Sequence, residues 1–157
     1  MGLKSNQPWF IVGGLVVVGL YLLALAAGAI ITYRTERRPD NQRYLDGTYP
    51  TSELDGPYNA IQPAGGNWLG KRIDGANHSG INRFKNGERY VFKLEPVKDG
   101  SRQVMRLNYN QPGNPWWLHR VIDEMVQVGE QHYLGKVFVK FPFLPRVTVA
   151  FFELKAE

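Results

Sequence analysis

A histidine paired with a carboxylate can perform acid–base chemistry or hold a metal, and this chain offers one such pair. His119 precedes Asp123 by four residues. On a helix, that spacing places both side chains on one face, where the carboxylate can orient the imidazole. The other histidines, His78 and His132, fall in no H-x-x-x-H or H-E-x-x-H pattern. His119 with Asp123 is therefore the best acid–base or metal candidate, and a salt bridge on a helix surface is the alternative.

The rest of the sequence carries no catalytic motif. Gly70-Lys71 lacks the upstream glycine and the following hydroxyl residue of a phosphate-binding loop. The absence of Cys excludes a thiol nucleophile, a disulfide scaffold and Cys-ligated zinc or iron–sulfur clusters. We therefore expect a protein that is not an enzyme, with no catalytic residues, no metal ligands and no cofactor.

The first part of this chain of 157 residues is suited to a membrane. Trp9 to Ile31 is a run of 23 residues without a charge, and its only non-apolar members are four glycines. A helix of roughly 20 such residues crosses the hydrocarbon core. Trp9 and Tyr33 lie at its ends, where aromatic rings prefer the interface. We expect an N-terminal tail over 1–8 and a transmembrane helix over 9–33, retained as an anchor rather than cleaved as a signal peptide.

The charges that flank the span predict its orientation. Lys4 lies before it, whereas Arg34, Arg37, Arg38 and Arg43 follow it. The positive-inside rule puts the arginine-rich side in the cytoplasm, and these side chains also suit anionic lipid headgroups. We expect a single-pass membrane protein with its β domain on the cytoplasmic side; the alternative is a domain outside.

The formal net charge of +5 is concentrated near the membrane. Residues 44–157 hold 14 basic and 12 acidic side chains, so this part is nearly neutral. It shows no run of Lys or Arg and no RNA-binding signature. We therefore expect no nucleic-acid partner.

One face of the span carries small residues at four-residue spacing: Ala24, Gly28 and Thr32. Small residues at this spacing let two membrane helices approach closely. The pattern predicts a helix–helix contact, although small residues are common in any membrane helix.

Alternating hydrophobicity after residue 66 predicts a β domain over 67–157. Before it, residues 34–66 are polar and rich in Gly and Pro, which indicates a basic juxtamembrane linker and an irregular arm. Asn114 and Pro115 favour a short helix that continues towards Met125. The fold class is therefore mainly β: a transmembrane helix, then a small antiparallel β-barrel or β-sandwich with one short helix. The predicted strands cover 68–73, 80–84, 89–97, 103–109, 133–141 and 147–152.

Two apolar stretches in predicted non-strand segments are candidate contact surfaces. Trp116 and Trp117 are adjacent, so they cannot share one helix face, and an outward Trp beside Arg120 suits a protein interface or a membrane surface. The alternative is that both indoles belong to the core. Phe143 and Leu144 lie between two prolines, in a loop where polar residues are usual, which predicts that they dock on something.

Gly66-Asn67-Trp68 followed by a strand resembles the G-x-W entry of the lipocalin-like β-barrels. The resemblance covers this motif and a strand count, and the Thr-Asp-Tyr type motif of that family is absent. It implies an up-and-down barrel that binds an apolar ligand.

Two hypotheses for function follow. The first is a non-catalytic accessory subunit that stabilises or helps to assemble a larger complex of integral membrane protein subunits, with lipids as further contacts. The alternative is a membrane-tethered, lipocalin-like binder of a lipid, quinone or pigment.

Overall fold

The computed structural model describes residues 7–51, 53–63 and 66–157. Within these residues, two helices precede eight strands, and a single 3-10 turn interrupts the strands. The helices are α1 (Gln7–Glu36) and α2 (Pro39–Asp46), and the 3-10 turn is Leu118–Arg120. The strands are β1 (Gly56–Gln62), β2 (Trp68–Asp74), β3 (Ser79–Phe84), β4 (Gly87–Asp99), β5 (Arg102–Asn108), β6 (Val121–Gly129), β7 (His132–Val139) and β8 (Val147–Ala156).

The eight strands form one closed antiparallel barrel in which each strand pairs with its neighbours in sequence. β1 closes the barrel by pairing with β8, from Tyr58 opposite Ala156 to Gln62 opposite Glu153. The mainly β fold class is confirmed, and of the two architectures left open by the sequence the chain adopts the barrel.

The barrel interior is lined by residues at alternate strand positions. Phe92 and Leu94 of β4 and Leu107 of β5 point into one buried cluster, as their period-2 spacing predicts. The outward faces of the strands carry polar side chains or belong to a second apolar cluster, which lies outside the barrel. A barrel of this size is just wide enough for side chains to fill it.

The segment that follows Asn114 differs from the predicted helix. It contains only the 3-10 turn Leu118–Arg120, and β6 starts directly at Val121. Asn114 does not cap a helix, because its side-chain amide donates to the carbonyl oxygens of Val91 and Tyr109. β-branched residues are frequent in β6, which favours a strand over a helix.

The predicted linker and arm are also more regular than the sequence indicates. α1 continues to Glu36, and α2 begins at Pro39, a residue suited to the first helical position. The supposed arm contains β1, so barrel structure begins before residue 67. β1 runs very close to β2: a Cβ at Gly70 would overlap the carbonyl oxygen of Tyr58, and Gly70 has a φ of +126°. Glycine is therefore required there.

α1 packs against β8 through its last turns. The pairing of β1 with β8 extends from Glu153 to Ala156, so the part of β8 before Glu153 needs another cover. The backbone N–H of Thr148 donates to Oγ1 of Thr32 at 3.1 Å, and the hydroxyl of Thr148 donates to Glu36 at 2.9 Å. Lys136 of β7 adds a 2.6 Å ion pair with Glu36. The long helix is thus fixed to the barrel wall.

α2 covers the outer wall of the barrel. Its Tyr44 is 1% exposed and lies in a second apolar cluster with Val104, Val126, Leu134 and Phe151. Arg43 forms an ion pair with Glu153 of β8, and Nε2 of His132 lies 2.7 Å from the same carboxylate. Apolar packing and charge pairing therefore hold α2 in place.

We predict that Gly28→Leu weakens the contact between α1 and β8. A Cβ at Gly28 would lie 3.0 Å from Cγ2 of Val147, so a larger side chain pushes the helix away. Overpacking of this kind costs about 1–3 kcal/mol. Thermal unfolding of the full chain in detergent measures the loss. Gly14→Leu is the control on the same helix, because nothing lies within 4 Å of its Cβ position; equal melting temperatures for the two variants would contradict the prediction.

We predict that the free energy of unfolding decreases in acid partly through Glu153. Burial alone would raise the pKa of this carboxyl, but hydrogen bonding and charge from Arg43 and His132 hold it below its ordinary 4.5. A lowered folded-state pKa stabilises the fold above about 4.5, and this contribution is lost as the pH falls through the folded-state pKa. Denaturant titrations between pH 6 and 3 should show a shallower pH dependence for Glu153→Gln than for the wild type. Parallel curves would contradict the assignment.

Candidate functional site

A charged side chain lies inside the barrel, among the aromatic rings of the core. Lys71 of β2 is 2% exposed. Its ammonium group donates to Oδ1 of Asn82 at 2.9 Å, to the hydroxyl of Tyr109 at 2.5 Å and to Oδ2 of Asp123 at 3.2 Å. An ammonium has three N–H groups, so these acceptors use all of them. We call these four residues the Lys71 network.

The other members of the Lys71 network are bonded to one another as well. The hydroxyl of Tyr109 donates to Oδ2 of Asp123 at 2.8 Å. The amide of Asn82 donates to the carbonyl oxygen of Tyr90 at 3.0 Å, and the indole N–H of Trp68 donates to Oδ1 of Asn82 at 3.1 Å. The network thus joins side chains of β2, β3, β6 and the end of β5 across the barrel.

Aromatic rings surround the ammonium group. The Nζ atom of Lys71 lies 4.7 Å from the ring centroid of Phe152, 5.1 Å from that of Phe92 and 5.5 Å from that of Trp68. Cation–π attraction at these distances partly replaces the hydration that the charge loses.

Burial shifts the pKa values of two groups in this network. Removal from water lowers the pKa of the Lys71 ammonium, while the charge and hydrogen bond of Asp123 oppose that change. Burial and the neighbouring carboxylate raise the pKa of Tyr109 well above 10. The Tyr109 hydroxyl therefore keeps its proton and bridges Lys71 and Asp123 as a neutral group.

A cavity of about 690 Å³ lies next to the Lys71 network. Trp68, Phe84 and Phe152 line it beside Lys71, and Pro63 lies at the β1–β2 connection. Its walls combine apolar rings with the polar network, the mixture typical of small-molecule sites. Such a lining can bind an apolar molecule that carries one polar or anionic group, provided that the group competes for the hydrogen bonds of Lys71.

The predicted pair of His119 and Asp123 does not form as a helical pair. His119 lies in the 3-10 turn, whereas Asp123 belongs to β6 and bonds to Lys71 and Tyr109 inside the barrel. The i, i+4 geometry required a continuous helix, which the early start of β6 prevents. The described residues contain no group of three or more His, Cys, Asp or Glu side chains arranged for a metal.

The small-residue face of α1 meets a strand of its own barrel. Gly28 approaches Val147, and Thr32 accepts the hydrogen bond from Thr148. Ala24 lines the same apolar groove between α1 and the barrel. The spacing correctly indicates a close approach, but at Gly28 and Thr32 the partner is β8 rather than a second helix.

The predicted arginine cluster surrounds the end of α1. Arg34 and Arg37 are exposed, and the guanidinium of Arg37 lies over the ring of Tyr33 at 4.7 Å. Arg38 forms a 2.9 Å ion pair with Asp40. This ion pair neutralises part of the positive charge available to headgroups.

The aromatic stretches are exposed on the surface. Trp116 is 74% exposed and Trp117 is 47% exposed, with its ring edge-on to Tyr90. The interpretation of both indoles as core residues is therefore wrong. Arg120 is partly buried beside them.

The connection between β7 and β8 carries the second stretch. Phe143 is 94% exposed, and Leu144 is partly buried in the groove beside α1. Because neighbouring strands are antiparallel, this connection lies at the same end of the barrel as the β5–β6 connection, which holds Trp116 and Trp117.

The Lys71 network can be inferred from the alternation of side chains on β2 and β6, although no motif marks it. Lys71 precedes Ile73 by two residues on a strand, so both side chains share the inward face. Asp123 stands in the same relation to Met125 on β6. Two charges of opposite sign on inward faces indicate a buried ion pair.

Comparisons with known proteins show the fold alone. No family model matches the chain, and no curated protein does. A solved structure described as the crystal structure of a protein from Thermomonospora curvata is similar, with a TM-score of 0.52 and 19% identity. The match covers 74% of this chain and 84% of that one. The closed barrel is compatible with a lipocalin-like small barrel and points to no particular member.

We predict that Lys71→Met destabilises the barrel by about 3–5 kcal/mol, because it leaves the buried Asp123 carboxylate without its cation. Denaturant unfolding of the full chain in detergent measures the change. Lys98→Met is the control, since Lys98 is exposed, and its effect should stay within about 0.5 kcal/mol. Lys71→Met combined with Asp123→Leu should recover part of the loss. Equal stability of the Lys71 and Lys98 variants would show that the network contributes nothing.

Proposed function

We propose that this protein is a non-catalytic, single-pass accessory subunit that stabilises or helps to assemble a larger membrane protein complex. The observation that carries the proposal is the fixed attachment of α1 to the barrel. A segment of 25 residues, Val12–Glu36, is long and apolar enough to cross a membrane. With α1 as the anchor, the bonds from Thr32 and Glu36 to Thr148 and Lys136 hold the barrel at one distance and angle from the bilayer. A subunit that fixes the position of its neighbours needs such an arrangement.

The exposed indoles provide a surface for a partner. Trp116 and Trp117 stand together at one end of the barrel, and large exposed aromatic rings beside an arginine are typical of the residues that contribute most to binding. Arg120 ends the 3-10 turn that directly follows the two indoles. We propose that a membrane-proximal part of an integral membrane subunit covers these three side chains.

The exposed faces of α1 offer the second contact. Leu15, Val16, Leu22 and Leu23 are more than half exposed and lie on the part of the helix that precedes its contacts with β8. In the proposed complex, lipids and helices of partner subunits cover them. Arg34 and Arg37 support a cytoplasmic position of the barrel, by the positive-inside rule.

The cavity beside the Lys71 network favours the alternative function. A membrane-tethered binder would place the apolar part of a lipid, quinone or pigment against Trp68, Phe84 and Phe152. Its polar group would then compete for the ammonium of Lys71. Against this, all three N–H groups of Lys71 already have acceptors within the protein.

Purification of the tagged full chain from its native membranes in mild detergent separates the two functions. An accessory subunit should elute as part of a larger assembly with defined integral membrane proteins. Trp116→Ser with Trp117→Ser should abolish this co-purification, because it removes the proposed contact surface. Leu45→Ser is the control, since Leu45 is 49% exposed on α2, away from the indoles.

The outcomes differ clearly. Elution of the wild type as a free monomer contradicts the accessory-subunit proposal. A lipid, quinone or pigment bound to that monomer in stoichiometric amount supports the alternative. Thermal unfolding of the Trp variant shows whether its barrel remains folded.

A further inference from the structure

We propose that the loop joining β7 to β8, residues 141–145, is a second membrane-contacting element that dips into the acyl chains beside α1. This inference rests on the proposed membrane anchor. It adds that the barrel itself enters the bilayer at one loop, in addition to being held near the membrane by α1.

The contacts along α1 define how deep the loop lies. Gly28, Thr32 and Glu36 contact the barrel wall, so one face of the last turns of α1 lies beside protein. The stretch from Trp9 to Ala27 remains to cross the bilayer, and its 19 residues are about 28 Å long at 1.5 Å per residue. That length matches a hydrocarbon core of about 30 Å. The membrane boundary on the barrel side therefore lies near Gly28.

The loop extends past that boundary. The hydroxyl of Tyr21 donates to the carbonyl oxygen of Phe143 at 3.0 Å. Tyr21 precedes Gly28 by seven residues, which corresponds to about 10 Å along the helix. This hydrogen bond places Phe143 about 10 Å inside the apolar layer, beside the helix rather than above the membrane.

Several backbone polar groups of the loop are satisfied without water. Lipid offers no partner for backbone polar groups, so each must be satisfied within the protein. Pro142 and Pro145 have no N–H group. The N–H of Leu144 donates to the carbonyl oxygen of Phe141, and the carbonyl oxygen of Phe143 accepts the Tyr21 hydroxyl. These two carbonyl groups and the Leu144 N–H therefore need no partner from water or lipid.

The exposure of the loop side chains supports the same conclusion. Phe143 is 94% exposed and has a φ of +59°, a backbone conformation that costs free energy for a residue with a large side chain. Phe141 is 43% exposed. In water, this strained conformation would leave a phenyl ring exposed to solvent, whereas among acyl chains the same ring is buried.

A groove between α1 and the barrel continues the apolar surface of the loop. Its volume is about 770 Å³, and its walls are mainly apolar. Leu25 and Ala24 line it from the helix, and Val139, Leu144 and Val149 line it from the barrel. Lipid acyl chains are the occupants that this groove fits, because it opens beside the span itself. Lys140 is exposed at the start of the loop and limits its depth, since its charge stays at headgroup level. At the other end of the loop, Arg146 is held on the barrel wall by Asp99 and Glu124.

Site-directed spin labelling of the full chain in phosphatidylcholine vesicles tests the inference. The chain has no Cys, so one introduced cysteine gives one label. Phe143→Cys reports on the loop, Val17→Cys reports on α1, and Ser101→Cys reports on the β4–β5 turn at the opposite end of the barrel. Phe143 is almost fully exposed, so its replacement leaves the core packing intact. Collision rates with oxygen, which concentrates in lipid, and with a water-soluble nickel chelate measure the environment of each label.

We expect the oxygen-to-nickel ratio at residues 143 and 17 to exceed that at residue 101 several-fold. If residue 17 is in lipid while residue 143 resembles residue 101, the inference is overturned and the anchor stands. If residue 17 is in water as well, the proposed anchor itself fails. Spin–spin broadening at residue 143, with low access to both reagents, would mean that a second copy of the chain covers the loop, which also overturns the inference.

Discussion

The first part of β8, which has no partner in β1, is the constraint on which the rest of the structure depends. The pairing with β1 reaches only from Glu153 to Ala156, and an uncovered strand edge invites association with other chains. α1 covers the preceding part, where Thr32 accepts the Thr148 N–H that a ladder partner would otherwise take. The apolar helix is therefore a structural element of the barrel as well as its proposed anchor. This double use explains why Gly28 lies where the helix meets the strand.

Buried charges are paired both inside the barrel and on its outer wall. Inside, Lys71 and Asp123 are enclosed by aromatic rings, and every donor of the ammonium is used. Outside, Glu124 is fully buried and pairs with Arg106 and Arg146 on the wall. A buried pair of this kind contributes little net stability but makes any other arrangement costly, because separating the charges leaves one unpaired. Both networks join strands of the barrel and are satisfied in the register that the barrel adopts.

Much of the fold can be predicted from the sequence, because strand faces depend on local alternation. The inward positions of Phe92, Leu94 and Leu107 follow from it directly. Closure cannot be predicted locally: β1 begins with Gly56 and Pro57, which indicate a turn, and its pairing with β8 joins residues nearly 100 positions apart. The Lys71 network was predictable in principle from shared faces, but a bulge between Trp68 and Gly70 shifts the register of β2 against β3. The position of the loop beside Tyr21 depends on tertiary packing alone.

The rigid joint between α1 and the barrel has a mechanical consequence. A flexible tether would let the barrel keep its orientation while the helix moved, but the bonds at Thr32 and Glu36 couple the two bodies. In a bilayer, a helix responds to changes in thickness by tilting. With α1 spanning the bilayer as proposed, each change in tilt rotates the whole barrel and displaces Trp116 and Trp117 relative to the membrane plane. In that arrangement, bilayer thickness sets the angle at which the protein presents these indoles.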